Sequence, residues 1–204
     1  FVLLATNQFV HHAFGWAVSE TVQGFIVQMP FVLQLFLIIL VADLMQYVVH
    51  KAYHEVPLLW RFHAVHHSAK EMDWLAGSRQ HILEILVTRS LVLTPIFVLG
   101  FPSDVISLYV IIVGFQAVFN HANVRVKFGW LKYIIVPPQF HHWHHSSDKA
   151  AIDRNYAAHF SFLDYVLGTA VKGQAEWPDK YGVVGDYMPE GMLKQQLFPF
   201  KKQK

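Results

Sequence analysis

From residue 21 to residue 42 the chain carries no charged side chain, and a helix needs roughly 20 apolar residues to cross a hydrocarbon core. In lipid a single segment has to satisfy its own backbone polar groups, so a run like this dictates a helix and excludes an open sheet. It is read as a membrane span kinked at Pro30. A second charge-free run, residues 105–124, meets the same length criterion and ends in Asn120, His121 and Asn123. Between them, residues 82–101 are apolar but contain Glu84 and Arg89, which leaves only 90–101 clean, too short to span alone. This stretch either crosses with Arg89 snorkelling to the interface or enters as a shallow hairpin through Gly100, Phe101 and Pro102. Residues 1–19 are apolar too, but Asn7, Gln8, His11 and His12 weaken them as a span. Phe1 with no basic region before it reads as a chain trimmed inside a helix and not as a signal peptide.

The composition agrees. Of 204 residues, 54% are hydrophobic and 15% charged, against roughly 25% charged in soluble domains. A mean hydropathy of +0.31, with 17 Phe and 6 Trp, excludes disorder. The length suits one domain, residues 1–204, with the tail from Gln174 onward reading as a soluble extension. A net charge of +2 gives no footprint for nucleic acid. Without cysteine there is no disulfide framework, thiolate zinc site or iron–sulfur cluster.

Lysine and arginine are absent before Lys51, appear within 51–79 (Lys51, Arg61, Lys70, Arg79), and return from Arg125 onward (Lys127, Lys132, Lys149, Arg154). The connections near Glu20 and at 100–104 carry none. The positive-inside rule places the basic segments in the cytoplasm. All the dense histidine motifs then share that aqueous face.

Those motifs are the second constraint. His50 and His54 are spaced i, i+4; His63, His66 and His67 are spaced i, i+3, i+4; His141, His144 and His145 repeat that pattern. On a helix each set projects from one face, where imidazoles one turn apart can reach a common ion. With His121 these make nine candidate ligands. A single ion takes four to six, so nine converging histidines imply two. His11, His12, His81, His142 and His159 are read as packed or hydrogen-bonded side chains. Structural zinc closes with four ligands and hydrolytic zinc with about three. A pair of imidazole-bound ions that can change oxidation state suits O2 activation by iron, while copper and zinc stay open on ligand softness.

The ordered series HKAYH (50–54), WRFHAVHHS (60–68), FNHANV (119–124), PPQFHHWHHS (137–146) and DRNYAAHFSFLDYVLGT (153–169) resembles the fatty acid hydroxylase and sterol desaturase superfamily of membrane di-iron oxidases, over residues 43–169. The spacing around HEVPLLW and IDRNYA is similar to the alkylglycerol monooxygenase branch. The resemblance implies that the nine histidines are metal ligands and that Asn155, Tyr156, Asp164, Gly168 and Thr169 form a structural marker. Some members carry another histidine one turn before His121, where this chain has Ala117. The tenth ligand is then missing, or supplied by water, Asn120, His81 or His159.

The expectation is an all-α integral membrane bundle of about four transmembrane or hairpin helices, with a cytoplasmic helical cap holding two iron ions, which zinc can replace in purified samples. It would sit in a bacterial inner membrane or the endoplasmic reticulum. Its reaction would be O2-dependent hydroxylation or desaturation of a lipid C–H bond, with no catalytic residue beyond the ligands. Electrons would come from a separate ferredoxin, cytochrome b5 system or reduced pterin, steered by Lys51, Arg61, Lys70, Lys132 and Lys149. Trp60, Phe62, Trp74 and Trp143 could line the acyl path, or only anchor and pack. The alternatives are a histidine-rich metal-binding or metal-transport membrane protein without oxidase activity, and a catalytically silent relative whose metal only stabilises the cap.

Overall fold

The computed structural model describes residues 8, 12–173, 176–185 and 187–201. The readings made of residues 1–7, His11 and Gln174 lie outside the described residues. All regular structure among the described residues is helical, and the one β-type pairing is an isolated bridge between Ser146 and Tyr181.

Pro30 ends one helix and starts another instead of kinking a single span. Helix α1 runs Glu20–Gln28 and α2 runs Phe31–Glu55, so the first span lies further along the chain than residues 21–42. The residue before a proline is pushed out of the helical region, and Met29 is extended (ψ 151°). The carbonyls freed by the break find a donor nearby: the Gln34 amide reaches Val27 O at 3.2 Å and Met29 O at 2.8 Å. An apolar environment makes that compensation necessary.

Helices α3 (Pro57–His67), α4 (Ile82–Leu99) and α5 (Ser103–His121) follow. Three helices, α2, α4 and α5, are long and apolar enough to cross a membrane. With the short α1 they account for the expected four transmembrane or hairpin elements. Helix α4 is continuous through Arg89, is long and apolar enough to cross, and turns back into α5 at residues 100–102. It stops at Gly100, whose left-handed backbone (φ 72°) suits glycine, and a Cβ there would lie 2.6 Å from Gln23 Cγ. That close approach lets the Gln23 amide donate to Val98 O at 3.0 Å.

Helix α2 is the axis of the bundle. Ile38, Ala42, Val92, Ile96, Val105, Ile106 and Tyr109 form one buried cluster in which α4 and α5 each pack on α2. Helices α4 and α5 barely touch one another, although only a short turn joins them. Leu86, Ile111 and Phe115 keep their side chains exposed, as lipid-facing positions require.

The histidine-bearing end of the bundle carries the cap: α3, a 3-10 turn at Ala76–Ser78, α6 (Pro138–His144), α7 (Phe162–Leu167) and α8 (Met192–Leu197). Proline at the first position of α3 and of α6 sets each helix start without losing a needed donor. A buried cluster of Tyr47, Val136, Phe140, Tyr156 and Leu163 joins the cap to α2. Asp43, fully buried on α2, accepts from the backbone N–H groups of Ala158 (2.8 Å), His159 (3.1 Å) and Phe160 (2.6 Å). The end of the chain returns to the same region. Gln196 accepts from Ile82 N at 3.0 Å and donates to Gln80 O at 3.0 Å, its carbonyl receives His81 Nε2 at 2.8 Å, and Arg61 donates to Lys201 O.

Candidate metal centre

The eight histidines singled out by spacing and His121 come together, and they sort into two sets. His50, His54, His63, His67 and His144 form one, and His66, His121, His141 and His145 the other; within each set the ligand atoms lie within 4.8 Å of one another. The sets do not follow the sequence motifs. The helix α3 motif divides, giving His63 and His67 to the first set and His66 to the second, because residues one full turn apart share a face and the one between them is rotated away. The α6 motif divides as well, His144 to the first set and His141 and His145 to the second.

The orientation of each ring is fixed from behind. His50 Nδ1 donates to Tyr156 O (2.8 Å), His66 Nδ1 to Arg79 O (3.1 Å), His121 Nδ1 to Ala117 O (2.7 Å) and His144 Nδ1 to Arg154 O (2.7 Å). A carbonyl only accepts, so each of these rings carries its proton on Nδ1 and presents a bare lone pair on Nε2. His63 Nδ1 meets Glu84 Oε1 at 2.6 Å, and His54 Nδ1 meets Asp153 Oδ1 at 3.2 Å. Carbonyl and carboxylate partners of this kind orient metal-binding imidazoles and raise their basicity.

The consequence is a set of facing acceptors. His121 Nε2 stands 3.3 Å from His66 Nε2, and both are lone pairs by the argument above. His50 Nε2 and His63 Nε2 approach to 3.0 Å, and His141 Nε2 lies 3.0 Å from His121 Nε2. His144 Nε2 and His54 Nε2 are buried with no hydrogen-bond partner. Buried lone pairs pointed at each other repel, and unpaired buried polar atoms cost free energy. A cation at the focus of each set removes both penalties, so the residues present fit a metal.

Electrostatics keep the ligands in the binding form. Burial, seconded by the neighbouring imidazoles, holds His63, His66, His67, His141, His144 and His145 well below the usual histidine range. Neutral imidazole is the form that ligates.

The other histidines sit elsewhere. His142 bonds Tyr181 OH (2.9 Å) and His121 O (3.2 Å), and burial lowers it to about 4. His81 caps α4 by accepting from Leu83 N at 3.1 Å. His12 is exposed, contrary to its reading as a packed side chain. Of the candidates for a tenth ligand, Asn120 is committed to Gln116 and Ala158 O, and His81 to Leu83 and Gln196. His159 belongs to neither set but borders a cavity shared with His121 and His141. Burial, with Arg89 nearby, lowers it to about 4.

Residues 153–169 explain the geometry behind the rings. Asp164 accepts from Tyr156 N (2.8 Å), Ala157 N (2.9 Å) and Thr169 Oγ1 (2.7 Å). Asn155, at φ 58°, donates to Phe140 O and accepts from Val171 N. This knot fixes the carbonyls of Arg154 and Tyr156 that turn His144 and His50. Sequence reasoning gave no site role to Glu84, Asp153 or Asp43. For Glu84 and Asp43 the available signal was a carboxylate in a segment otherwise apolar.

Two cavities reach the ligands. One of about 120 Å³ lies over α2 between α4 and α5 and borders His50, His63, His66, His121 and His141. The other, of about 260 Å³, is bounded by cap residues including Trp60, Asp153 and Tyr187, and touches His54, His67 and His144. The tryptophans and Phe62 expected along an acyl path do not border the first cavity. Trp60 lines the second and bonds Tyr187 OH, Phe62 packs on His81 and Phe200, Trp143 donates to Glu176 O, and Trp74 is exposed.

Comparison with known proteins gives a match of residues 35–169 to the family model described as fatty acid hydroxylase. The chain is 31% identical over 175 residues to the ornithine lipid hydroxylase OlsE of Rhizobium tropici, covering 86% of this chain and 53% of that protein. It is 29% identical over 130 residues to the alkylglycerol monooxygenase of Homo sapiens (62% of this chain, 28% of that one). It is 33% identical over 93 residues to the fatty acid hydroxylase vlmA of a Lecanicillium species (43% and 26%). The chain therefore spans about half the length of the first relative and about a quarter of the other two. No solved structure matches.

Proposed function

The chain belongs to the fatty acid hydroxylase family, and from that premise we propose that it is a di-iron lipid hydroxylase that uses O2 and external electrons. The observation that carries the reading is the pair of facing lone-pair sets, five and four histidines, bordered by one cavity among α2, α4 and α5 and by another in the cap. The net reaction consumes R–H, O2, two electrons and two protons and yields R–OH and water. When bound, one ion in each set, iron supplies the activation of O2. The nine histidines hold it, their carbonyl and carboxylate partners keep the rings aimed, and the apolar residues of α2, α4 and α5 present the lipid and keep bulk water away. Desaturation has the same electron demand, and the ornithine lipid hydroxylase and alkylglycerol monooxygenase names among the relatives favour hydroxylation.

Residues 1–204 have neither cysteine for an iron–sulfur cluster nor a Gly-rich dinucleotide fingerprint, so the electrons come from a group outside them, a protein donor or a reduced pterin. The basic residues expected to steer it are not equivalent. Lys51 is paired with Glu55 at 3.2 Å and Arg61 is tied to Lys201 O, while Lys149 is exposed. The metal-carrying end is assigned to the cytoplasm on the distribution of Lys and Arg.

A transporter would need a polar route through the spans, and the first cavity carries Gln46, Thr88, Arg89 and Gln116 on its helix walls, so lipid chemistry is what separates the two readings. The test is lipid extracted from cells expressing the protein with and without His144→Ala. A hydroxylated lipid found only with the intact protein supports the proposal. Identical lipid profiles, with stoichiometric metal and a competent reductase present, refute it and favour a metal-binding protein without oxidase activity.

A further inference from the structure

Arg89 is out of place on α4. Of its exposed neighbours on that helix, Ile82, Leu83, Leu86, Val87 and Leu91 are apolar and only Ser90 is polar. A charged residue in a membrane helix costs roughly 2.5–3.5 kcal/mol near the centre on insertion scales, and one that persists there calls for a partner. Among the described residues Arg89 has no ion pair. The charge is therefore maintained with no internal carboxylate to balance it.

Its position suggests what does balance it. Arg89 borders the same 120 Å³ cavity as His50, His63, His66, His121 and His141. That cavity lies where α4 and α5 both pack on α2, and Arg89 is itself exposed, so its guanidinium stands at the outer edge of the cavity between those two helices. Five residues separate Arg89 from Glu84, the carboxylate behind His63, a rise of about 8 Å along the helix. His159, neutral at ordinary pH, lines the cavity beside it, with Gln46 and Gln116. The wall thus offers one fixed cation and neutral hydrogen-bonding side chains at one place, the Glu84 carboxylate held on His63 at the ligand end, and aliphatic surface elsewhere (Ala42, Ile85, Val92, Val113).

We infer that Arg89 binds the anionic group of the lipid substrate, a carboxylate or a phosphate, at a lateral entrance between α4 and α5. This rests on the lipid hydroxylase reading and narrows its substrate class. A guanidinium matches either anion through paired N–H donors. Because the cavity that holds Arg89 is small and ends at the histidines, the C–H bond presented to the metal centre lies close to the anionic group and not far along an acyl chain.

The experiment reads binding, not turnover. Metal-loaded protein in detergent, kept anaerobic and without reductant, is titrated with parinaric acid and with its methyl ester, and then with phosphatidic acid and diacylglycerol as competitors. Wild type should prefer the anionic member of at least one pair by tenfold or more. Arg89→Lys should keep the preference within about threefold, and Arg89→Gln should bring the ratio to near one without weakening the neutral lipid. Equal binding of both members in both pairs by wild type, or a preference that survives Arg89→Gln, overturns the inference and leaves the lipid hydroxylase reading standing. Failure of wild type to bind any of the four lipids overturns both.

Discussion

Gly77 lies against the ring of His121: a Cβ placed on it would stand 2.9 Å from His121 Nδ1 and 3.4 Å from Ala117 O. Those two atoms form the hydrogen bond that turns His121 toward His66. The 3-10 turn at Ala76–Ser78 can therefore sit over the four-histidine set only with glycine at its middle position.

Gly77→Ala should displace the His121 ring and deplete metal from the four-histidine set alone. Elemental analysis should fall from two ions per chain toward one, with the protein still folded. His144→Ala should do the reverse, emptying the five-histidine set. Two ions retained in both variants would show that these sets do not hold the metal.

Asp164→Ala should loosen the backbone behind the five-histidine set. It strands two backbone N–H donors, each orphaned donor costing about 1–3 kcal/mol, and leaves the Thr169 hydroxyl with Tyr47 OH alone. The melting midpoint in detergent should drop by several degrees, and metal loss should follow because the Tyr156 and Arg154 carbonyls no longer hold His50 and His144. A variant with unchanged midpoint and metal content would show that this knot is not what aims those rings.

The absence of native cysteine makes topology simple to read. Single cysteines at the exposed positions Lys70 and Lys149 should resist an impermeant thiol reagent in intact cells and react after permeabilisation, whereas one at the exposed Ser103 should react at once. The opposite pattern would put the histidine end outside the cytoplasm.

Purified protein given lipid, O2 and NADPH alone should make no sustained product, and an added reductase with ferredoxin or cytochrome b5, or a reduced pterin, should start turnover. If a protein donor docks through Lys149 and its neighbours, the rate should decline with ionic strength. Product formed steadily with NADPH alone would contradict the requirement for a separate donor.

The charge-free runs and the histidine spacings determined by themselves that this is a helical membrane protein and which eight of the nine imidazoles converge, because span length and one-turn spacing are local properties of the chain. The residues around Pro30 were legible only in part. The proline announced a break, but whether it kinks or ends a helix depended on Gln34 supplying hydrogen bonds to Val27 O and Met29 O. The division of HAVHH and HHWHH between two sets, and the roles of Glu84, Asp153 and Gly77, were decided by the tertiary structure, since each rests on a partner from another segment. The same holds for Arg89. The sequence shows a charge in an apolar run, and only the packing of α4 and α5 on α2 opens the cavity that gives that charge a position beside the ligands. Side-chain type and periodicity are written along the chain, whereas the direction in which a lone pair or a guanidinium points is set by contacts between segments far apart in it.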